Sequence, residues 1–263
     1  MNRPLDPKRL QFYLTIPTPC PYLSGRMERK IFTQLDPLSG PQLNNYLTHA
    51  GFRRSQNVIY RPACESCRAC QSLRVDVDGF HTTRRFRRIL RKNADLTNEV
   101  SEAYATNEQF RLLKRYLIDR HPNGGMAEMD FLRYEMMVED GAANTEIVEY
   151  RDPDDRLIAC TLIDNLSDGK SMIYSFFDPD LRSRSLGNCM SLDHIKKCSA
   201  TDLSFLYLGY WVKESPKMSY KKEYEPAEIL TPSGWRRLDN SIDKAAPQTS
   251  PLPQSFTHPT GMK

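Results

Sequence analysis

No long apolar run occurs in this sequence. None approaches the roughly 18 residues that a membrane-spanning helix needs, although 39% of the 263 residues are hydrophobic. The opening stretch, MNRPLDPKRLQFYL, lacks the apolar segment and small-residue cleavage site of a secretory leader. These absences argue against a membrane among the partners and predict a cytoplasmic protein. Outside RPACESCRAC cysteine is used sparingly, and its total of seven is odd. In a reducing compartment that argues against a disulfide framework. Internal repeats are missing, as are helix-turn-helix and zinc-finger patterns. A large excess of one charge is missing too. The formal net charge is +4, so where the charges sit matters more than their sum.

What is present suffices for one large domain or two smaller ones with real cores. Residues 1–75 read as irregular and rich in Pro, Gly and Cys, with a short helix near 40–50 ending at Gly51. VIYRPAC and SLRVDVDGF read as short strands flanking the cysteines. In RRFRRILRK (84–92), Phe86, Ile89 and Leu90 recur at helical spacing. A second helix at about 107–120 opens on a Thr106/Gln109 capping box. HPNGGMAEM (121–129) reads as a loop. TEIVEYR, RLIACTLID and KSMIYSFFD then predict an antiparallel meander. A helix near 187–198 and the apolar strand LSFLYLGYWV follow, predicting one crossover and one parallel pairing. From 240 the chain is rich in Pro, Ser and Thr and reads as a disordered tail (240–263).

RPACESCRAC carries Cys64, Cys67 and Cys70 three residues apart. Three thiols so spaced converge on one centre if the loop wraps around it, and zinc or an iron–sulfur cluster takes a fourth ligand. Cys20, in PTPCPYLSG, is the natural fourth, with His49 and His81 as weaker alternatives. The competing reading is a set of reduced thiols packed in a small irregular domain. Cys160, Cys189 and Cys198 fall in apolar patterns and read as core residues. In the basic helix, Arg84, Arg85, Arg87, Arg88, Arg91 and Lys92 stand without an interleaved acid. Such a row repels itself unless something neutralises it, which suits a phosphate backbone. Aromatics scattered through polar segments favour RNA over duplex DNA.

YSFFDPDLRSRSLGNC combines a strand, an Asp-Pro-Asp turn, a basic segment and a helix start. Free backbone N–H groups and the helix dipole there favour an anion. Arg182, Arg184, Ser185 and Gly187 fit a loop similar to the R/Q-x-x-G-x-G/A pyrophosphate loop of GCN5-related acyltransferases, with Ser185 at the first Gly position.

Taken in order, CPYLSGR, GFRRS, YRPACESCRACQSLRV, RRFRRILRKNADL, YSFFDPDLRSRSLG, YLGYWVKESPKMSYK and YEPAEIL resemble the bacterial aspartate/glutamate leucyltransferases, close relatives of the eukaryotic arginyl-tRNA–protein transferases. The resemblance covers nearly all of residues 12–235. It implies an N-degron enzyme that moves an aminoacyl group from a charged tRNA to proteins with N-terminal Asp or Glu, marking them for degradation. The fold implied is α+β, with a Cys-rich N-terminal domain (1–80) and a GCN5-related acyltransferase-like domain (81–239). The eukaryotic relatives can hold an iron–sulfur cluster at the Cys motif; transfer itself needs no cofactor. Leucine is the expected donor group, with arginine the runner-up. This chain departs from the family at Ser215-Pro216-Lys217-Met218, where a cysteine often precedes KKM, and at Asn188-Cys189-Met190, where larger residues often stand.

The aminoacyl ester is already activated, so an amine attacks it directly and no Ser-His-Asp or Cys-His nucleophile is needed. Positioning, amine deprotonation and oxyanion stabilisation remain. YLGYWVKESPKMSYK is the expected reacting centre, with Tyr210, Lys217 and Tyr220 as catalytic candidates. Trp211 is placed to stack the terminal adenine. Lys217 or Lys221 could pair with the acceptor's carboxylate or with tRNA phosphate, with Arg61 and Arg74 as rival carboxylate readers. A non-catalytic RNA-binding protein with a structural metal site, and a coenzyme A-dependent acetyltransferase, are the competing functions.

Overall fold

The computed structural model describes residues 10–120, 122, 126 and 128–238. The tail from 240 and much of HPNGGMAEM therefore lie outside the described residues. The chain opens with strands β1 (Tyr13–Leu14), β2 (Thr18–Pro19), β3 (Met27–Glu28) and β4 (Lys30–Gln34). Helix α1 (Gly40–His49) and strands β5 (Arg53–Ser55) and β6 (Val58–Pro62) follow. β1, β4, β6 and β5 form an antiparallel sheet in that order. Ile31, Leu35 and Ile59 of this unit pack on Leu43 and Leu47 of α1. The sequence predicted irregular structure here, because strands of two to five residues alternate too briefly to register a period of two. The α1 boundary agrees with the prediction. Gly51 follows it at φ 84°, and a Cβ there would stand 2.6 Å from Leu230 Cδ2.

The chain continues as β7 (Gln71–Asp76), α2 (Arg84–Lys92), β8 (Thr97–Glu102), α3 (Asn107–Arg120) and α4 (Phe131–Glu139). Next come β9 (Thr145–Arg151), β10 (Leu157–Asn165), β11 (Gly169–Phe177), α5 (Leu186–Ala200), β12 (Phe205–Trp211), β13 (Ala227–Thr231) and β14 (Gly234–Arg237). An eight-stranded sheet runs β14-β13-β7-β12-β11-β10-β9-β8. Every neighbouring pair in it is antiparallel except β11 and β12, which the α5 crossover makes parallel. The fold is thus mixed α/β, with the predicted meander at β9–β11.

Helices cover both faces of this sheet. Phe86 and Ile89 of α2 join Cys189, Leu192, Ile195 and Cys198 of α5 over Val148, Ile163 and Leu206. On the other face Leu113 and Leu117 of α3 and Tyr134 of α4 pack over Ile147, Cys160 and Phe176. β10 has helices on both sides, and its LIACTLID run is buried from end to end. Cys160, Cys189 and Cys198 lie in these cores as their patterns predicted. The Thr106/Gln109 box forms as written, with the Gln109 N–H donating to Thr106 Oγ1 at 3.2 Å and the Thr106 N–H to Gln109 Oε1 at 2.9 Å.

Candidate active site

The sheet opens where β11 meets β12. The two strands pair only from Gly169/Phe205 to Ser171/Tyr207. Each carries an extra residue just beyond. Ile173 is bulged between Met172 and Tyr174 against β10, and Leu208 between Tyr207 and Gly209 against β7. Bulges increase local twist and turn a strand away from its neighbour, so β11 and β12 diverge into a wedge from this point.

Two cations reach into the wedge. Arg53 of β5 donates from Nη2 to Ile173 O at 2.7 Å and lies against Gly209 of β12. Gly209 has φ 71°, and a Cβ there would overlap the Arg53 guanidinium. Lys221 belongs to a 3-10 turn at Pro216–Glu223, and its Nζ donates to Leu208 O at 2.8 Å and Tyr210 O at 2.6 Å. Carbonyls two residues apart share one strand edge. Lys221 therefore satisfies one edge of β12 where β11 no longer pairs with it. Among the described residues neither cation has a carboxylate partner within ion-pair distance. Lys221 is buried, and desolvation, aided by the Arg53 charge, pushes its pKa down to about 7.

A basic cleft lies at α2 and the start of α5. Arg85, Arg88, Ile89 and Lys92 of α2 face Ser183, Arg184 and Ser185 across a volume of about 270 Å³. All six basic side chains of α2 are exposed while Phe86 and Ile89 are buried, so the helix seats its apolar seam and presents its charge. Arg184 fixes the two walls together: its Nε donates to Asn93 Oδ1 at 3.0 Å, and it pairs with Asp95. Asp178, 1% exposed, holds the preceding turn against α3 through Arg115 at 2.8 Å. Ser185 sits at φ 54° just before α5 and makes no side-chain cap, and Gly187 lies in the first turn. Arg182 pairs with Asp119 of α3.

The remaining expected residues are dispersed. Tyr210 is buried, and its hydroxyl lies within hydrogen-bonding distance of the carbonyls of Gly51, at 3.1 Å, and Tyr60, at 2.9 Å. It ties β12 to the small sheet. Trp211 is buried, with no hydrogen-bond partner for its indole N–H among the described residues. Lys217 and Tyr220 lie on the exposed side of the 3-10 turn. Arg61 stacks over Phe52 at 5.1 Å, and burial lowers its pKa. Arg74 is enclosed: it pairs with Glu228 at 2.7 Å, donates to Tyr207 at 3.0 Å and stacks on Phe205 and Trp235. Arg53 was not singled out in the sequence. Its signal was GFRRS, where adjacent arginines on a strand must point to opposite faces.

The metal expectation is corrected. Among the described residues no group of three or more His, Cys, Asp or Glu side chains is arranged to hold a metal ion. Cys20, Cys64, Cys67 and Cys70 are all free. Arginines take up this loop instead. Arg26 donates to Cys67 Sγ at 3.2 Å, Arg68 to Cys67 O at 2.9 Å, and Cys64 donates to Arg29 O at 3.8 Å. Burial, with Cys20, Cys64 and Cys67 nearby, pushes the Cys70 thiol up to about 12. The alternative ligand His49 is engaged with Asp168 at 2.9 Å and Asn45 O at 2.6 Å.

Known proteins resemble this chain over most of its length. Residues 18–88 match the family model "Arginine-tRNA-protein transferase, N terminus", and residues 108–231 match "Arginine-tRNA-protein transferase, C terminus". The aspartate/glutamate leucyltransferase of Maricaulis maris is 53% identical over 236 residues, covering 90% of this chain and 93% of the relative. That of Parvibaculum lavamentivorans is 55% identical over 229 residues, covering 86% and 94%. A solved structure of L-PGS from Bacillus licheniformis is similar at TM-score 0.46 and 12% identity, covering 64% of this chain and 58% of that one. The chain belongs to the arginine-tRNA-protein transferase family and, within it, to the aspartate/glutamate leucyltransferases.

Proposed function

We propose that this chain transfers leucine from Leu-tRNA to the N-terminal amine of proteins beginning with Asp or Glu, in the cytoplasm, marking them for degradation. The observation that carries this reading is identity above one half with aspartate/glutamate leucyltransferases over nearly the whole of both chains. The basic cleft supports it from the chemistry. Arg84, Arg88, Arg91 and Lys92 carry no carboxylate partner among the described residues, which leaves them for phosphates. Ser185 and Gly187, at the start of α5, are suited to the phosphate nearest the ester, beside Arg184, which Asp95 and Asn93 hold in place.

The finer fold reading is a GCN5-related acyltransferase-like domain behind a smaller N-terminal domain. The bulged β11, its parallel pairing with β12 and the α5 crossover support it. The wedge is the proposed reaction site. Arg53, in the wedge, and Arg61, on β6 over Phe52, are the proposed readers of the acceptor's carboxylate, since neither has a carboxylate partner among the described residues. Arg74, enclosed by Glu228 and three aromatic rings, is better suited to holding β7, β12 and β13 together. Tyr210 is a proposed positioning residue, and Lys217 and Tyr220 are proposed to cover the reacting ends from the exposed turn.

The test is a transfer assay with purified protein, labelled Leu-tRNA or Arg-tRNA, and peptides beginning with Asp, Glu or Ala. Label moving from Leu-tRNA to the acidic peptides alone is expected. Transfer only from Arg-tRNA overturns the donor and keeps the reaction. Salt-sensitive tRNA binding without transfer from either would favour the non-catalytic RNA-binding reading.

A further inference from the structure

The transfer reaction has a proton to remove, and an acceptor α-amine with a pKa of about 8 is mostly an ammonium at neutral pH. We propose that Lys221, in its neutral form, is the base that takes this proton. The inference rests on the transfer reading. It names a catalytic group that neither the fold nor the family relationship assigns.

The geometry carries it. A neutral lysine amine has two N–H bonds and one lone pair. At Lys221 two acceptors stand within donor range, Leu208 O at 2.8 Å and Tyr210 O at 2.6 Å. These two bonds use both N–H groups and leave the lone pair on the remaining side of the nitrogen. Both carbonyls belong to the stretch of β12 beyond its pairing with β11, so the amine sits at the wedge itself. The charged form is disfavoured there. Lys221 is buried, has no carboxylate at ion-pair distance among the described residues, and has the Arg53 guanidinium nearby. Tyr210 on β12 supplies a carbonyl to it, and Tyr220, Lys222 and Glu223 are its chain neighbours on the same turn. Glu223 is paired with Arg85 of α2 and does not neutralise it. Desolvation first, then Arg53, lowers its pKa to about 7, within the range a base needs at neutral pH.

The step balances. The acceptor ammonium gives one proton to Lys221 Nζ. The freed amine forms a C–N bond to the ester carbonyl carbon, giving a tetrahedral adduct whose nitrogen carries the second proton to be lost. The C–O bond to the tRNA ribose breaks, and the leaving oxygen takes that second proton. Lys221 then releases its own proton to water. The sum is ester plus ammonium giving amide, alcohol and one proton.

The experiment uses the full chain, unsubstituted and as Lys221→Met and Lys221→Arg. Each is assayed with Leu-tRNA and two acceptors: an Asp peptide, and its analogue bearing an aminooxy group in place of the α-amine. The aminooxy group is already deprotonated at neutral pH and needs no base. Expected is a loss of kcat of about a hundredfold or more with the Asp peptide in both variants, unchanged Leu-tRNA affinity, and a far smaller loss with the aminooxy acceptor. Equal losses with both acceptors would mean that Lys221 only supports β12, and would overturn the proposal. Full activity of either variant would overturn it as well. The unsubstituted protein gives a check free of any folding defect. With saturating Asp peptide its kcat should rise with pH and level above about 7, and a flat profile across that value overturns the proposal. No transfer by the unsubstituted protein to either acceptor defeats the transfer reading itself, a result distinct from those above.

Discussion

His194 shows how far a single side chain can be held from its solution chemistry. It lies on α5 at 1% exposure, and among the described residues neither ring nitrogen has a hydrogen-bond partner. Burial pushes its pKa from 6.5 down to about 3. The folded state therefore holds it neutral while the unfolded chain protonates it near 6.5. The stability linked to this residue is complete above that pH and drains away as pH falls from 6.5 toward 3. His194→Leu should flatten that loss. In urea melts at pH 7 and pH 5, the unsubstituted protein should lose more stability on acidification than the variant, by on the order of a kcal/mol or more. An equal pH dependence in both would place the acid sensitivity elsewhere. Residue types in the sequence indicated which side chains can do chemistry, but not which ones burial alters. LDHIKK gives no sign that His194 faces the sheet without a partner. ESPKMSYKK gives no sign that Lys221 is buried while Lys217 is exposed. That difference comes from the 3-10 turn, whose period differs from that of an α-helix.

At the scale of elements, the sequence was most informative where periods were long. α2, α3, α5 and the β9–β11 meander stand where amphipathic spacing and turn residues predicted them. α4, β8 and the β13–β14 hairpin were missed. β8 (TNEVSE) is an edge strand exposed along its whole length, so burial imposes no alternation on it. The joining of α2 to the start of α5 was not legible either. It depends on contacts between Arg184 and the Asn93–Asp95 segment, about ninety residues apart. That joining makes a prediction for the pair. Arg88 and Lys92 line the cleft without a carboxylate partner among the described residues, whereas Arg85 is paired with Glu223. Replacing Arg88 and Lys92 with Glu should weaken tRNA binding and reduce the slope of log K against log salt by about 1 per lost phosphate contact. Filter binding across a salt series would measure it. An unchanged slope would remove this face of α2 from the tRNA path.

Across the whole molecule, one dipeptide links the small sheet both to the wedge and to the core of the large sheet. Arg53 and Arg54 are neighbours on β5, so their side chains leave on opposite faces. Arg53 goes to the wedge. Arg54 goes inward to Asp164 of β10, with two bonds of 2.6 Å and both side chains fully enclosed. Asn44 of α1, at 2.9 Å, and Thr145 of β9, at 2.8 Å, donate to the same carboxylate. Three segments of the chain thus meet on one buried charge. Coulomb attraction inside the protein offsets the desolvation of such a pair only while both partners remain. Asp164→Asn leaves the guanidinium buried without its counter-charge and should cost about 3–5 kcal/mol. Replacing both partners together, as Arg54→Met with Asp164→Leu, should cost much less. Urea unfolding followed by tryptophan fluorescence and by far-UV circular dichroism would test both. Because the pair spans the two sheets, the two signals should move to lower urea together in Asp164→Asn. A fluorescence transition that separates from the dichroism would mean that the sheets unfold independently and that the clamp does not join them. The same substitution should reduce transfer more than its stability loss explains, since β5 also carries Arg53 to Ile173 O and Gly209. Transfer measured well below the melting range would separate the two effects, and full activity there would show that Arg53 keeps its place without the clamp.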